Sequence, residues 1–194
     1  KTSVGEVILQ ALKRGSLPIL LWFRKEHYTL PSNACYLAAL SGKLNVLEFT
    51  YNIIMTLDQS CVRAAIISGS LECLQYIHQH GESRTSYECN IAAEVGNLDI
   101  LMYLHHKGAV LTAETACCAA SNGSISCLQY LHEQGALWSE DTCAMAACGG
   151  RLDFLQYMHT QGCEWDETVC AAAAGGGSLQ CLQYLHAQGC PWDI

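Results

Sequence analysis

Five histidines recur at one fixed step: His78, His105, His132, His159 and His186, each 27 residues after the last. A row of imidazoles is the side-chain pattern in this sequence that most suggests a metal site. Zinc would need several ring nitrogens about 2.0–2.1 Å from one ion. Residues that recur once per helical repeat stand about 8–10 Å apart, one helix spacing, so adjacent members of the row cannot share an ion. The expectation is a neutral framework histidine, hydrogen-bonded to a neighbouring repeat or to a backbone carbonyl.

The thirteen cysteines divide in the same way. Cys35, Cys89, Cys143 and Cys170 share one column, and Cys73, Cys127 and Cys181 share another. Same-column residues such as Cys143 and Cys170 are too far apart for a disulfide, whose Cα atoms lie within about 7 Å. Cys117 and Cys118 point in different directions on one helix and lack zinc-knuckle spacing. Reduced cysteine behaves as a small apolar residue and is often buried, so most are expected in the core, with Cys163 and Cys190 more exposed in loops. Cysteines at repeating positions, without a secretory leader, point to a reducing intracellular compartment. The cytoplasm is the expected location and the nucleus the alternative.

Trp138, Trp165 and Trp192 form a third column. They are either anchors for a partner, because tryptophan is enriched in binding hot spots, or seals between repeats. Leu30, Leu57 and Leu111 occupy the same column, which favours the seal. No catalytic set is present: there is no G-x-S-x-G, no phosphate loop after a strand and no H-E-x-x-H. Gly175-Gly176-Gly177 lies in register with the helix-ending glycines of other units and is not a nucleotide fingerprint. An enzyme, a metal site and a cofactor are therefore not expected.

All of these columns need a scaffold that repeats every 27 residues. Alanine keeps that step at Ala11, Ala38, Ala65, Ala92, Ala119, Ala146 and Ala173. Leucine does so at Leu20, Leu47, Leu74, Leu101, Leu128, Leu155 and Leu182, and glycine from Gly15 through Gly42, Gly69, Gly96, Gly123 and Gly150 to Gly177. Self-similarity at such a period signals a stacked-repeat architecture. The units run over residues 4–30, 31–57, 58–84, 85–111, 112–138, 139–165 and 166–192, the first two degenerate. In the last unit Asp166 suits a helix N-cap, a place held earlier by Ser139, Thr112, Thr85 and Asp58. A first helix through Ala171–Ala174 stops at Gly176-Gly177, and a second spans about Ser178 to Gln188 before Gly189. Neither helix is long enough to stand alone; stacking on neighbours must stabilise them.

These residues resemble the ankyrin repeats. Thr168-Val169-Cys170-Ala171-Ala172-Ala173-Ala174 with Gly177 follows the T-P-L-H-x-A-A-x-x-G first helix, and Leu179, Leu182, Leu185 and Gly189 follow the second. The ankyrin period is about 33 residues, so this shorter unit lacks a segment between Gly162 and Thr168, where an ankyrin protein carries its β-hairpin. The chain is similar to the short ankyrin-type repeats of large DNA viruses and some protists. The resemblance is strong over residues 58–194 and weaker over 1–57, where His27 and Ile54 replace the helix-ending glycine. It implies an all-α, ankyrin-like solenoid of seven stacked helix–turn–helix repeats, one domain over residues 1–194, with short loops in place of hairpins. It also implies that the ladder histidines sit where a buried leucine is usual.

Composition narrows the partner. A net charge of −8, with ten scattered Lys and Arg, gains nothing from the counterion release that drives nucleic-acid binding. No run approaches the roughly 18 apolar residues of a membrane helix. Another protein is the expected partner, engaged where the repeats disagree. By the ankyrin resemblance these positions line a concave face of first helices and loops: Tyr36, Arg63, Tyr87, Asn90, Glu94, Glu114, Glu140, Asp141 and Glu167. The acids near helix starts also suit the helix dipole. The alternative is a spacer or adaptor arm for a domain outside this sequence, such as an F-box. The termini suggest a piece of a longer protein, monomeric or associating end to end through an uncapped repeat.

Overall fold

The computed structural model describes residues 3–81, 86–122, 124–136 and 138–191. Thr85, Gly123 and Trp192 of the columns above lie outside these residues, as do the side chains of Asn122 and Glu140. The chain divides into two compact units, Lys1–Arg84 and Thr85–Ile194. The first contains α1 (Val4–Lys13), α2 (Leu17–Lys25), α3 (Ala34–Ser41), α4 (Leu44–Ile54), α5 (Gln59–Ile67) and α6 (Leu71–Gln79). The second contains α7 (Ser86–Glu94), α8 (Leu98–His106), α9 (Ala113–Asn122), α10 (Ile125–Glu133), α11 (Glu140–Cys148), α12 (Leu152–Thr160), α13 (Glu167–Gly175) and α14 (Leu179–Ala187). Every regular element among the described residues is an α-helix, and the loops before the first helices carry no strand there.

Local chemistry starts and stops these helices. Asp58 accepts from the amides of Ser60 and Cys61 at the start of α5, and Asp166 accepts from Thr168 at the start of α13. Thr112 and Thr115 each bond the other's backbone N–H, both at 3.3 Å, before α9. The second helices use a serine column: Ser70, Ser124 and Ser178 accept from the amides of Cys73, Cys127 and Cys181. Such caps satisfy first-turn donors that a short helix otherwise leaves unpaired.

The degenerate first repeats solve the helix ending differently. His27 itself takes the left-handed conformation, φ 61°. In the next repeat α4 runs on through Ile54, and Met55 makes the left-handed turn one residue later, φ 56°. A residue with a Cβ pays about 1–2 kcal/mol for that conformation.

Within each unit the first helices stack on one another: α1 on α3 on α5, and α7 on α9 on α11 on α13. The second helices pack along them. Small side chains set the spacing. All seven column alanines are buried, six of them with no exposed surface. Leu20, Leu47, Leu74, Leu101, Leu128 and Leu155 fill the layer between first and second helices and are fully buried. The repeats approach closely at Gly176, where a Cβ would collide with the backbone carbonyl of Cys148 in the preceding repeat.

Candidate functional site

The repeating polar residues join repeats to each other. In the second unit His105 Nδ1 lies 2.7 Å from Tyr130 Oη, and His159 Nδ1 lies 3.2 Å from Tyr184 Oη. Each bond links one second helix to the next. His132 instead stacks on Trp138, with ring centroids 4.2 Å apart and planes within 10°. His159 and Trp165 have the same centroid separation, 4.2 Å, but their planes are tilted by 38°. Trp138 and Trp165 then turn an edge to Tyr157 and Tyr184 of the following repeat. His105, His132 and His159 thus bridge to the next repeat while sitting near the surface, whereas His78 is buried. A histidine near water tolerates its second nitrogen facing solvent, so His105, His132 and His159 need no buried partner for it. Among the described residues no three His, Cys, Asp or Glu side chains come together around a point that could hold an ion.

Trp138 and Trp165 pack against the next repeat on one side and are accessible on the other. Trp138 borders an open cleft with His132, Gln161 and Cys163, and Trp165 borders another with His159, Cys163 and Gln188.

The positions where repeats disagree are spread over both units. In the first, Tyr36 is half-buried on α3 and Arg63 is exposed on α5. Tyr36 lines a cleft with Asn33, Thr56, Asp58 and Ser60 between the loops that enter α3 and α5. In the second unit Tyr87 is 51% exposed, and Glu94, Glu114, Asp141 and Glu167 are exposed. Glu94 and Glu114 converge on Cys118: burial first, and then these two carboxylates, push its thiol up to about 11.

Asn90 differs from the expectation of an open contact residue. It is 6% exposed, and its Oδ1 accepts from Thr115 Oγ1 of the next repeat at 2.7 Å. One repeat later Thr142 Oγ1 and Cys117 Sγ meet at 3.4 Å in the same arrangement. Variation along this column therefore follows what the neighbouring first helix presents. Sequence reasoning missed the pairing, although Thr115, Thr142 and the buried Glu88 stand out in a column otherwise held by Ala34, Cys61 and Val169.

No helix among the described residues is long and apolar enough to cross a membrane. No protein-family model and no curated protein matches this sequence. Among solved structures, the crystal structure of the human ASB11 ankyrin repeat domain matches with a TM-score of 0.66 at 14% sequence identity. The match covers 96% of this chain and 99% of that one. The stacked helix pairs, their buried alanine and leucine columns and this likeness together establish that the chain has the ankyrin-repeat fold.

Proposed function

We propose that the chain is a non-catalytic scaffold that recognises another protein through the exposed, repeat-specific side chains of its first helices and their preceding loops. One observation carries the reading. The recurring alanines are buried, six of the seven recurring leucines are fully buried, and His105, His132 and His159 contact the next repeat, whereas Arg63, Tyr87, Glu94, Glu114, Asp141 and Glu167 face solvent at positions that vary along the array. The ankyrin-repeat fold generally serves protein–protein interaction, and recognition by such a fold is set by the residues that its framework does not need. Asn90, buried and bonded to Thr115, supports the face from behind. Glu94, Glu114, Asp141 and Glu167 make the second unit's face acidic, which favours a partner segment rich in Lys and Arg and makes its capture salt-sensitive. An intracellular compartment, the cytoplasm first, suits a core filled with reduced thiols.

The test compares the chain with a variant carrying Glu94→Lys, Glu114→Lys and Asp141→Lys. Proteins captured from a cell extract are quantified by mass spectrometry, and circular dichroism confirms that the variant remains helical. Partners of the binding face should drop at least about tenfold, as expected for losing roughly 1.4 kcal/mol of contact energy. Equal capture by both proteins removes this face from the function.

A further inference from the structure

Two columns of the repeat meet at sulfur in the second unit. Cys143 on α11 and Cys163 in the turn after α12 have Sγ atoms 2.7 Å apart. That is within about 1 Å of the S–S bond length of about 2.05 Å. The backbone builds this placement. Gly162 takes φ 82° and folds the chain back, so that Cys163 N–H donates to the Met158 carbonyl at 3.0 Å. Cys190 repeats the turn after Gly189, donating to Leu185 at 3.0 Å, and its sulfur packs against Cys170. Ala109 and Ala136 hold the same turn position in the two preceding repeats, opposite Cys89 and Ala116. In these four repeats the turn carries cysteine only where the facing helix position is also cysteine.

The two pairs differ in access. Cys170 and Cys190 are both buried, and burial, with Cys170 beside it, pushes the Cys190 thiol up to about 12. Cys143 is fully buried, but Cys163 is half-exposed and lines both of the clefts bordered by Trp138 and Trp165. One thiol is therefore reachable from solvent, with a second held against it from behind. This is the arrangement of an attacking and a resolving cysteine.

We propose that Cys143 and Cys163 form a reversible thiol–disulfide site that reacts with low-molecular-weight disulfides such as oxidised glutathione. The Cys163 thiolate attacks one sulfur of the small disulfide, forming a mixed disulfide and releasing one small thiol. Cys143 then attacks the Cys163 sulfur, giving its proton to the departing thiolate. One protein disulfide forms, the two cysteine protons end on two small thiols, and the small disulfide is the two-electron oxidant. The new bond ties α11 to the turn carrying Cys163, Glu164 and Trp165. The site stands independently of the protein-binding reading.

The experiment treats the reduced chain with oxidised glutathione, blocks remaining thiols with iodoacetamide after unfolding, and maps peptides by mass spectrometry. The product that accumulates should be the Cys143–Cys163 crosslink, formed through a transient glutathione adduct on Cys163, reversible by dithiothreitol and accompanied by a rise in Tm. Cys143→Ser should stop at a single glutathione on Cys163. Cys163→Ser should lose the reaction at this site at least about tenfold, because the buried thiol is not reached. The proposal fails if wild-type protein retains a glutathione on Cys163 with Cys143 alkylated. It fails equally if the exposed Cys148 reacts while Cys163 remains a thiol. Both readouts use the unaltered chain, so a variant that folds poorly cannot obscure the result.

Discussion

At the scale of single residues, the same side chain has different meanings according to what meets it. Asp58 and Glu114 both lie near the start of a first helix, yet Asp58 is committed to capping. Its carboxylate is held below its ordinary pKa of 3.8, first by the Ser60 hydroxyl and further by the amides of Cys61 and Ser60. Because the folded pKa is depressed, the stabilisation is complete above the unfolded value of about 3.9 and is lost as pH falls through the folded one. Asp58→Asn keeps a good capping side chain without the titration. The wild-type advantage in Tm should therefore be fully present above about pH 5 and shrink as the pH falls below the unfolded value. It should be small, because this exposed carboxylate is screened by solvent. A constant difference across that range would show that charge at Asp58 does not contribute.

Between elements, stability resides in contacts that cross from one repeat to the next. Tyr130 bonds His105 across second helices, so Tyr130→Phe should cost about 0.5–1.5 kcal/mol in urea unfolding. Tyr184→Phe should cost less, its bond to His159 being longer at 3.2 Å. No loss in either variant would leave the aromatic stacking as the bridge. The alanine seam responds to volume. Ala119 is fully buried where α9 packs on α7 and α11, so Ala119→Leu should cost about 1–3 kcal/mol by overpacking. Ala174→Leu, on an exposed face of α13, should be close to neutral. Equal effects would mean that the seam is not close-packed. The alanine, leucine and glycine columns were legible in the sequence because one geometric demand is restated every 27 residues. The Thr115–Asn90 bond was not, because it joins two different columns and occurs where neither side chain is typical. The Cys143–Cys163 approach was hidden for the same reason: comparing like with like across repeats never sets position 143 against position 163.

For the whole molecule, the period predicts more about stability than about recognition. Framework residues recur and so identify themselves, while the contact residues are those left over, and Asn90 shows that a leftover position can still be structural. The energetics follow from the stacking. Helices of eight to eleven residues are marginal alone, so each pair depends on the faces buried against its neighbours, and stability grows with the number of interfaces retained. The segment 85–194 is a compact unit with four helix pairs and three first-helix interfaces. Expressed alone, it should show helical circular dichroism and a cooperative thermal transition. The segment 139–194 keeps two pairs and a single interface between α11 and α13, below the roughly three repeats that such stacks need. It should be largely unfolded at the temperature where the longer segment is folded. A fully helical two-pair segment would place the stability inside single repeats. An unfolded four-pair segment would show that the second unit depends on residues outside it.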